Sequence, residues 1–160
     1  MLASLIQNAS PFDKSNKATH ILVILPKLER LPKKYEIPGE ETLKNLLTRR
    51  KIKLSKISET PLSANLDNGA LCAWVMVDLS ETVFFFFFVI RKALQLLLEE
   101  NPEEIHLAVF GNNNQKRMLA NLGIYTTWVN GAALPVRKKE PNRESLSSIT
   151  LHGYKDPDTF

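Results

Sequence analysis

Cysteine is almost missing from this chain: Cys72 is the only one in 160 residues. An internal disulfide is impossible, and a reducing compartment is the natural expectation. Long apolar runs are missing too. The longest, Val83–Ile90, has eight residues, against the roughly 20 that a membrane-spanning helix needs. The opening MLASLIQ has neither a basic start nor an extended apolar stretch, so no secretory leader is expected and a cytoplasmic location is. A strong charge of one sign is also absent. The net charge of +4 permits contact with a polyanion without arguing for one.

Signatures of chemistry are equally scarce. Neither G-x-G-x-x-G nor G-x-x-x-x-G-K-[ST] occurs, which removes the usual phosphate loops. Ser58, Ser63, Ser145, Ser147 and Ser148 have no G-x-S-x-G setting. His20, His106 and His152 lie in or beside expected strands. None has a cysteine or another histidine at metal-ligand spacing, so they read as paired or surface side chains. The acidic sets Glu99-Glu100, Glu103-Glu104 and Asp156/Asp158 read as solvated charge. No catalytic, cofactor-binding or metal-ligating residue is assigned.

What is present is a core. Hydrophobic residues make up 44% of the chain and charged ones 24%, values of a globular protein, and the length suits one domain. Cys72 sits in an apolar run and reads as a small buried side chain. Thr19–Leu25 (THILVIL) is a buried strand ending at Pro26. Glu40 to about Lys51 is a helix, with Leu43, Leu46 and Leu47 at i, i+3 and i+4. Its acidic start and basic end, Arg49-Arg50-Lys51, agree with the helix dipole. Pro61–Gly69 is turn-rich. Ala70–Leu79 is apolar on both faces, as a central strand would be. Glu104–Phe110 and Ser147–Leu151 are further strands.

Two stretches are ambiguous. Phe84 to Phe88 are five consecutive phenylalanines with strand propensity. Yet Val83, Phe87, Ile90, Leu94 and Leu97 fall on one helical stripe, and Ser80 is placed to cap it. A helix over about 81–100 is expected. It would leave Phe84 and Phe88 on the polar side with Arg91 and Gln95. These two rings are therefore candidate interface residues for a neighbouring subunit or a partner domain, unless the helix is buried on most sides. In the second stretch, Met118, Leu122, Tyr125, Val129 and Ala132 recur at helical spacing. But Ile124–Val129 followed by Asn130-Gly131 is also a good hairpin signature. Alternation of strands and helices implies an α/β fold, a mainly parallel or mixed sheet with helices on both faces.

Four segments carry a resemblance: PLSANLDNGALCAWVMVDL (61–79), RKALQLLLEENPEEIHLAVFG (91–111), VNGAALPVRKKEP (129–141) and SSITLHG (147–153). Together they resemble the N-terminal domain of the leucyl aminopeptidase family. The resemblance covers about residues 19–153 and favours a helix for Gln115 to about Ala133. It implies a single macro-domain-like unit over 1–160 acting as a non-catalytic accessory domain. Its parent would remove N-terminal amino acids from peptides and assemble as a hexamer. Two divalent metals, Mn²⁺ or Zn²⁺, would sit in a separate C-terminal catalytic domain, which is the implied partner. The family's Asn-Thr-Asp-Ala-Glu-Gly-Arg motif does not occur here, so no cofactor is expected in this chain.

Two alternatives stand beside that reading. Macro domains bind ADP-ribose, and the loops 65–69 and 111–114 are the places to look, though each has one glycine and reads better as a turn. The basic clusters Arg49-Arg50-Lys51-Lys53 and Arg137-Lys138-Lys139 could meet phosphates. No aromatics interleave with them, so nucleic-acid binding is not expected.

Overall fold

The computed structural model describes residues 3–13, 16–132 and 145–156. The run Arg137-Lys138-Lys139, the expected helix end at Ala133 and the Pro157-Asp158 exit segment lie outside them. Within them, six strands form one sheet: β1 (Ser4–Asn8), β2 (His20–Pro26), β3 (Leu62–Asn65), β4 (Leu71–Val77), β5 (Glu104–Val109) and β6 (Ser148–His152). Their order is β1-β6-β5-β2-β4-β3. Four pairings are parallel, and the β3–β4 hairpin is antiparallel. Three helices, α1 (Glu40–Arg50), α2 (Val83–Leu98) and α3 (Asn113–Gly131), make the crossovers. The fold is α/β, a mixed sheet with helices on both faces.

The apolar runs explain the layering. On β2, Leu22 and Ile24 pack under α2 and α3, while Ile21, Val23 and Leu25 pack toward α1. On β4, Ala73 and Val75 face the first core, and Cys72, Trp74 and Met76 the second. A strand buried on both sides needs apolar residues at every position, and these two have them.

Three features escaped the sequence. β1 is an edge strand whose residues are half-buried or exposed, so no apolar alternation marks it. β3 has four residues inside the segment read as turns. A short 3₁₀ helix, Leu54–Ser58, covers β4 and buries Ile57.

Both ambiguous stretches are helical. Ser80 does not cap α2. Its hydroxyl donates to Asp78 Oδ1 at 2.6 Å, and Thr82 is the N-cap, accepting from Phe85 N at 3.2 Å. The buried stripe of α2 is Phe86, Val89, Ile90, Ala93, Leu94, Leu97 and Leu98. Val83, expected inside, is the first residue of the helix and is exposed.

Helix α3 is rotated from the face its larger apolar residues suggest. Of Met118, Leu122, Tyr125 and Val129, only Leu122 is buried. The core side is lined by Leu119, Ala120, Gly123, Ile124, Thr126 and Thr127. Small residues there let the helix lie close to the sheet. A Cβ on Gly123 would meet Ile24 Cδ1 at 2.7 Å. The hydroxyls of Thr126 and Thr127 bond the carbonyls of Leu122 and Gly123, each at 2.7 Å, which lets two polar side chains be buried without loss.

Candidate functional site

The sequence singled out Phe84 and Phe88, and both lie on the outer side of α2. Phe84 is 81% exposed and Phe88 41%. They share that side with Arg91, Lys92 and Gln95, all exposed. Lys92 places its ammonium 5.4 Å from the centre of the Phe88 ring, a cation–π contact. Phe87 is half-buried and meets Tyr125 of α3, ring centres 5.5 Å apart. That contact joins the outer sides of the two helices. Val83, Met118, Tyr125 and Val129 extend the same apolar surface, each exposed by 44–59%.

The rotation of α3 thus builds a surface that sequence reasoning missed. Large apolar residues at helical spacing ordinarily mark a core stripe. The signal for the reverse was present in the opposite stripe, where Ala120, Gly123, Thr126 and Thr127 are all small.

On the other side of the sheet lies a polar pair. His106 on β5 and His152 on β6 stack with ring centres 5.2 Å apart. His106 Nδ1 and His152 Nε2 are 2.9 Å apart, within hydrogen-bond reach. Phe12 meets both rings edge-on, at 6.4 and 4.9 Å. Burial pushes both imidazoles below their ordinary range, His152 to about 4, helped by its neighbour's charge; Glu104 pulls His106 slightly back up. His152 Nδ1 is buried with no partner among the described residues. His20 is apart from them and meets Glu100 at 2.8 Å.

The remaining candidates are accounted for locally. Cys72 is fully buried, and desolvation drives its thiol far above the usual range, so it is not a nucleophile. Of the acidic sets, Glu100 pairs with His20 and Glu104 accepts from Ser148 Oγ at 3.1 Å. Among the described residues, no three His, Cys, Asp or Glu side chains are grouped to hold a metal ion.

Of the two loops suited to a diphosphate, one is the β3–β4 hairpin turn, closed by Leu66 N to Ala70 O at 2.7 Å. The other is spent on α3: Asn112 and Gln115 exchange side-chain bonds with each other's backbone N–H at 2.8 and 2.9 Å, a capping box. A cleft of about 520 Å³ opens at the start of α1, with Phe12, Ile21, Ile37 and Leu66 in its walls and Lys33, Glu40 and Asp67 at its polar margin. Arg49 and Arg50 end α1 exposed. No helix among the described residues is long and apolar enough to cross a membrane.

No family model matches the chain, and no curated protein does. Among solved structures, a tomato leucine aminopeptidase mutant matches 99% of this chain with a TM-score of 0.57 and 12% identity. The match covers 34% of that protein, so the chain spans about a third of its length. At that identity the likeness is one of fold.

Proposed function

We propose that this chain is a non-catalytic accessory domain of a leucyl-aminopeptidase-like protein. The observation that carries the reading is the fold likeness, which runs through 99% of this chain but only 34% of the tomato aminopeptidase. A unit of this extent supplies one part of such an enzyme. In this reading Mn²⁺ or Zn²⁺ and the peptide-cleaving residues belong to a second domain. The present domain assists assembly, which in the parent would be hexameric, or shapes access to the active site.

The test has two parts. The coding sequence beyond residue 160 should continue into a segment with Asn-Thr-Asp-Ala-Glu-Gly-Arg; a stop codon or an unrelated domain there overturns the reading. Residues 1–160 alone should release no leucine from leucine p-nitroanilide with Mn²⁺ or Zn²⁺. Metal-dependent release by this chain would also overturn it.

A further inference from the structure

A basic pocket of about 510 Å³ opens where the sheet meets the start of α3. Lys116 and Arg117 line it from α3, and Tyr154 and Lys155 from the segment after β6. Ala9, just past β1, completes that wall. The pocket thus lies at the carboxyl ends of two neighbouring parallel strands, the end at which open α/β sheets hold ligands. Three cations from two separate segments meet there, and no acidic residue is in the lining. None of the three has an ion-pair partner among the described residues. Asp156, the next residue, is outside the lining, and its backbone is held by the Gln7 amide at 2.8 and 3.2 Å.

The start of α3 adds to the imbalance. A helix N-terminus is the positive end and favours acids. Helix α1 has them, Glu40 and Glu41, whereas α3 has none in its first turn and follows that turn with Lys116 and Arg117. The capping box takes the backbone N–H groups of Asn112 and Gln115. Those of Asn113 and Asn114, which also line the pocket, have no partner among the described residues.

We propose that this pocket binds a small phosphate-bearing anion, at least doubly charged. A carboxylate has a single charge and matches three cations poorly. A guanidinium engages phosphate oxygens as a planar fork, and lysines add point charges. Free backbone N–H groups at a helix start are ready donors to phosphate. The volume suits a ligand larger than a bare ion, with the half-buried Tyr154 ring as one wall. A nucleic-acid strand is a poorer occupant. Grooves that track a strand stack successive bases on several aromatics, and Tyr154 is the one aromatic in this lining. The site stands whether or not the chain is an accessory domain.

The test is isothermal titration calorimetry of the whole chain with inorganic pyrophosphate at low and physiological salt, with acetate as the singly charged control. Pyrophosphate should bind saturably, one per chain, and more weakly as salt rises; acetate should not bind. Lys155→Gln and Arg117→Gln should each lower the affinity about tenfold, although they change different segments. Arg49→Gln combined with Arg50→Gln removes charge from α1 and should change it by less than about twofold. Like charges repel, so unliganded Arg117→Gln should unfold at no lower a temperature than the natural chain, which separates lost binding from lost folding. Failure of pyrophosphate to saturate, acetate binding as tightly, or an equal loss in the α1 variant would overturn the proposal. A much lower unfolding temperature for unliganded Arg117→Gln would mark a structural cation and overturn it too. So would sedimentation with phosphatidic acid vesicles, or binding of an oligothymidine, that depends on the same cations while pyrophosphate fails to compete.

Discussion

His106 and His152 share one hydrogen bond across two neighbouring strands, 2.9 Å from Nδ1 of the first to Nε2 of the second. The geometry selects a tautomer. With a hydrogen on His152 Nε2, the buried Nδ1 of that ring is a bare acceptor. A proton added to either ring puts a hydrogen on that Nδ1, where no partner among the described residues awaits it. A buried N–H left unpaired costs about 1–3 kcal/mol. The neutral pair is the only state that avoids this.

Stability should therefore fall with acid. His152 has its folded pKa lowered to about 4 from 6.5. The unfolded chain then binds more protons than the folded one between those values. The stabilisation is complete above pH 6.5 and is lost as pH drops toward 4. Urea unfolding should show a loss of about 2 kcal/mol from pH 7 to pH 5. A combined His106→Leu and His152→Leu variant should show a flatter profile. Equal stability of the natural chain at the two pH values would refute the assignment.

Gly153 closes the sheet at its β1 edge. Its φ is +97°, and its N–H lies 2.9 Å from the carbonyls of both Asn8 and Ser10. A Cβ there would stand 2.7 Å from the backbone oxygen of Val109, which cannot move aside as a side chain could. Gly153→Ala should cost about 2–3 kcal/mol, lowering the melting temperature by roughly 5–10 °C. Calorimetry showing no change would contradict the close approach.

Trp74 ties α1 to the sheet. It is fully buried, and its indole N–H donates to Pro38 O at 2.9 Å, one residue before the Gly39 N-cap. Trp74→Phe leaves that carbonyl only the weak Cys72 Sγ contact at 3.9 Å and opens a space. The expected cost is about 2–4 kcal/mol. Amide exchange should quicken in α1 more than in α2 or α3; uniform quickening would count against a local tie.

Two phenylalanines of the same run should respond very differently to one substitution. Phe84 is 81% exposed and Phe86 5%. Phe84→Ser should change unfolding free energy by no more than about 0.5 kcal/mol, while Phe86→Ser should cost at least about 3 kcal/mol. Similar costs at both sites would mean that the outer ring is part of the core after all.

Much of the architecture was legible in the chain. Runs such as His20–Pro26 and Leu71–Val77 are apolar at nearly every position, which only a strand covered on two sides requires. Chain chemistry also marked the start and end of α1. The edge strands were not legible, because Ser4–Asn8 and Leu62–Asn65 owe their conformation to a neighbour's hydrogen bonds and not to their own pattern. The candidate surface was half legible. Phe84 and Phe88 follow from the period of α2, whereas Met118, Tyr125 and Val129 were hidden by the assumption that large apolar residues point inward.

The amino-acid order alone determined the alternation of strands and helices, the burial of Cys72 and the outward place of two phenylalanines, because those depend on periods within one element. Packing between elements decided the rest. Gly123 and its small neighbours turned α3 so that its bulky residues face outward, and parallel pairing of β5 with β6 brought His106 to His152 across a separation of 46 residues. Such relations come from which faces fit together at contact distance, a property no single stretch of sequence carries.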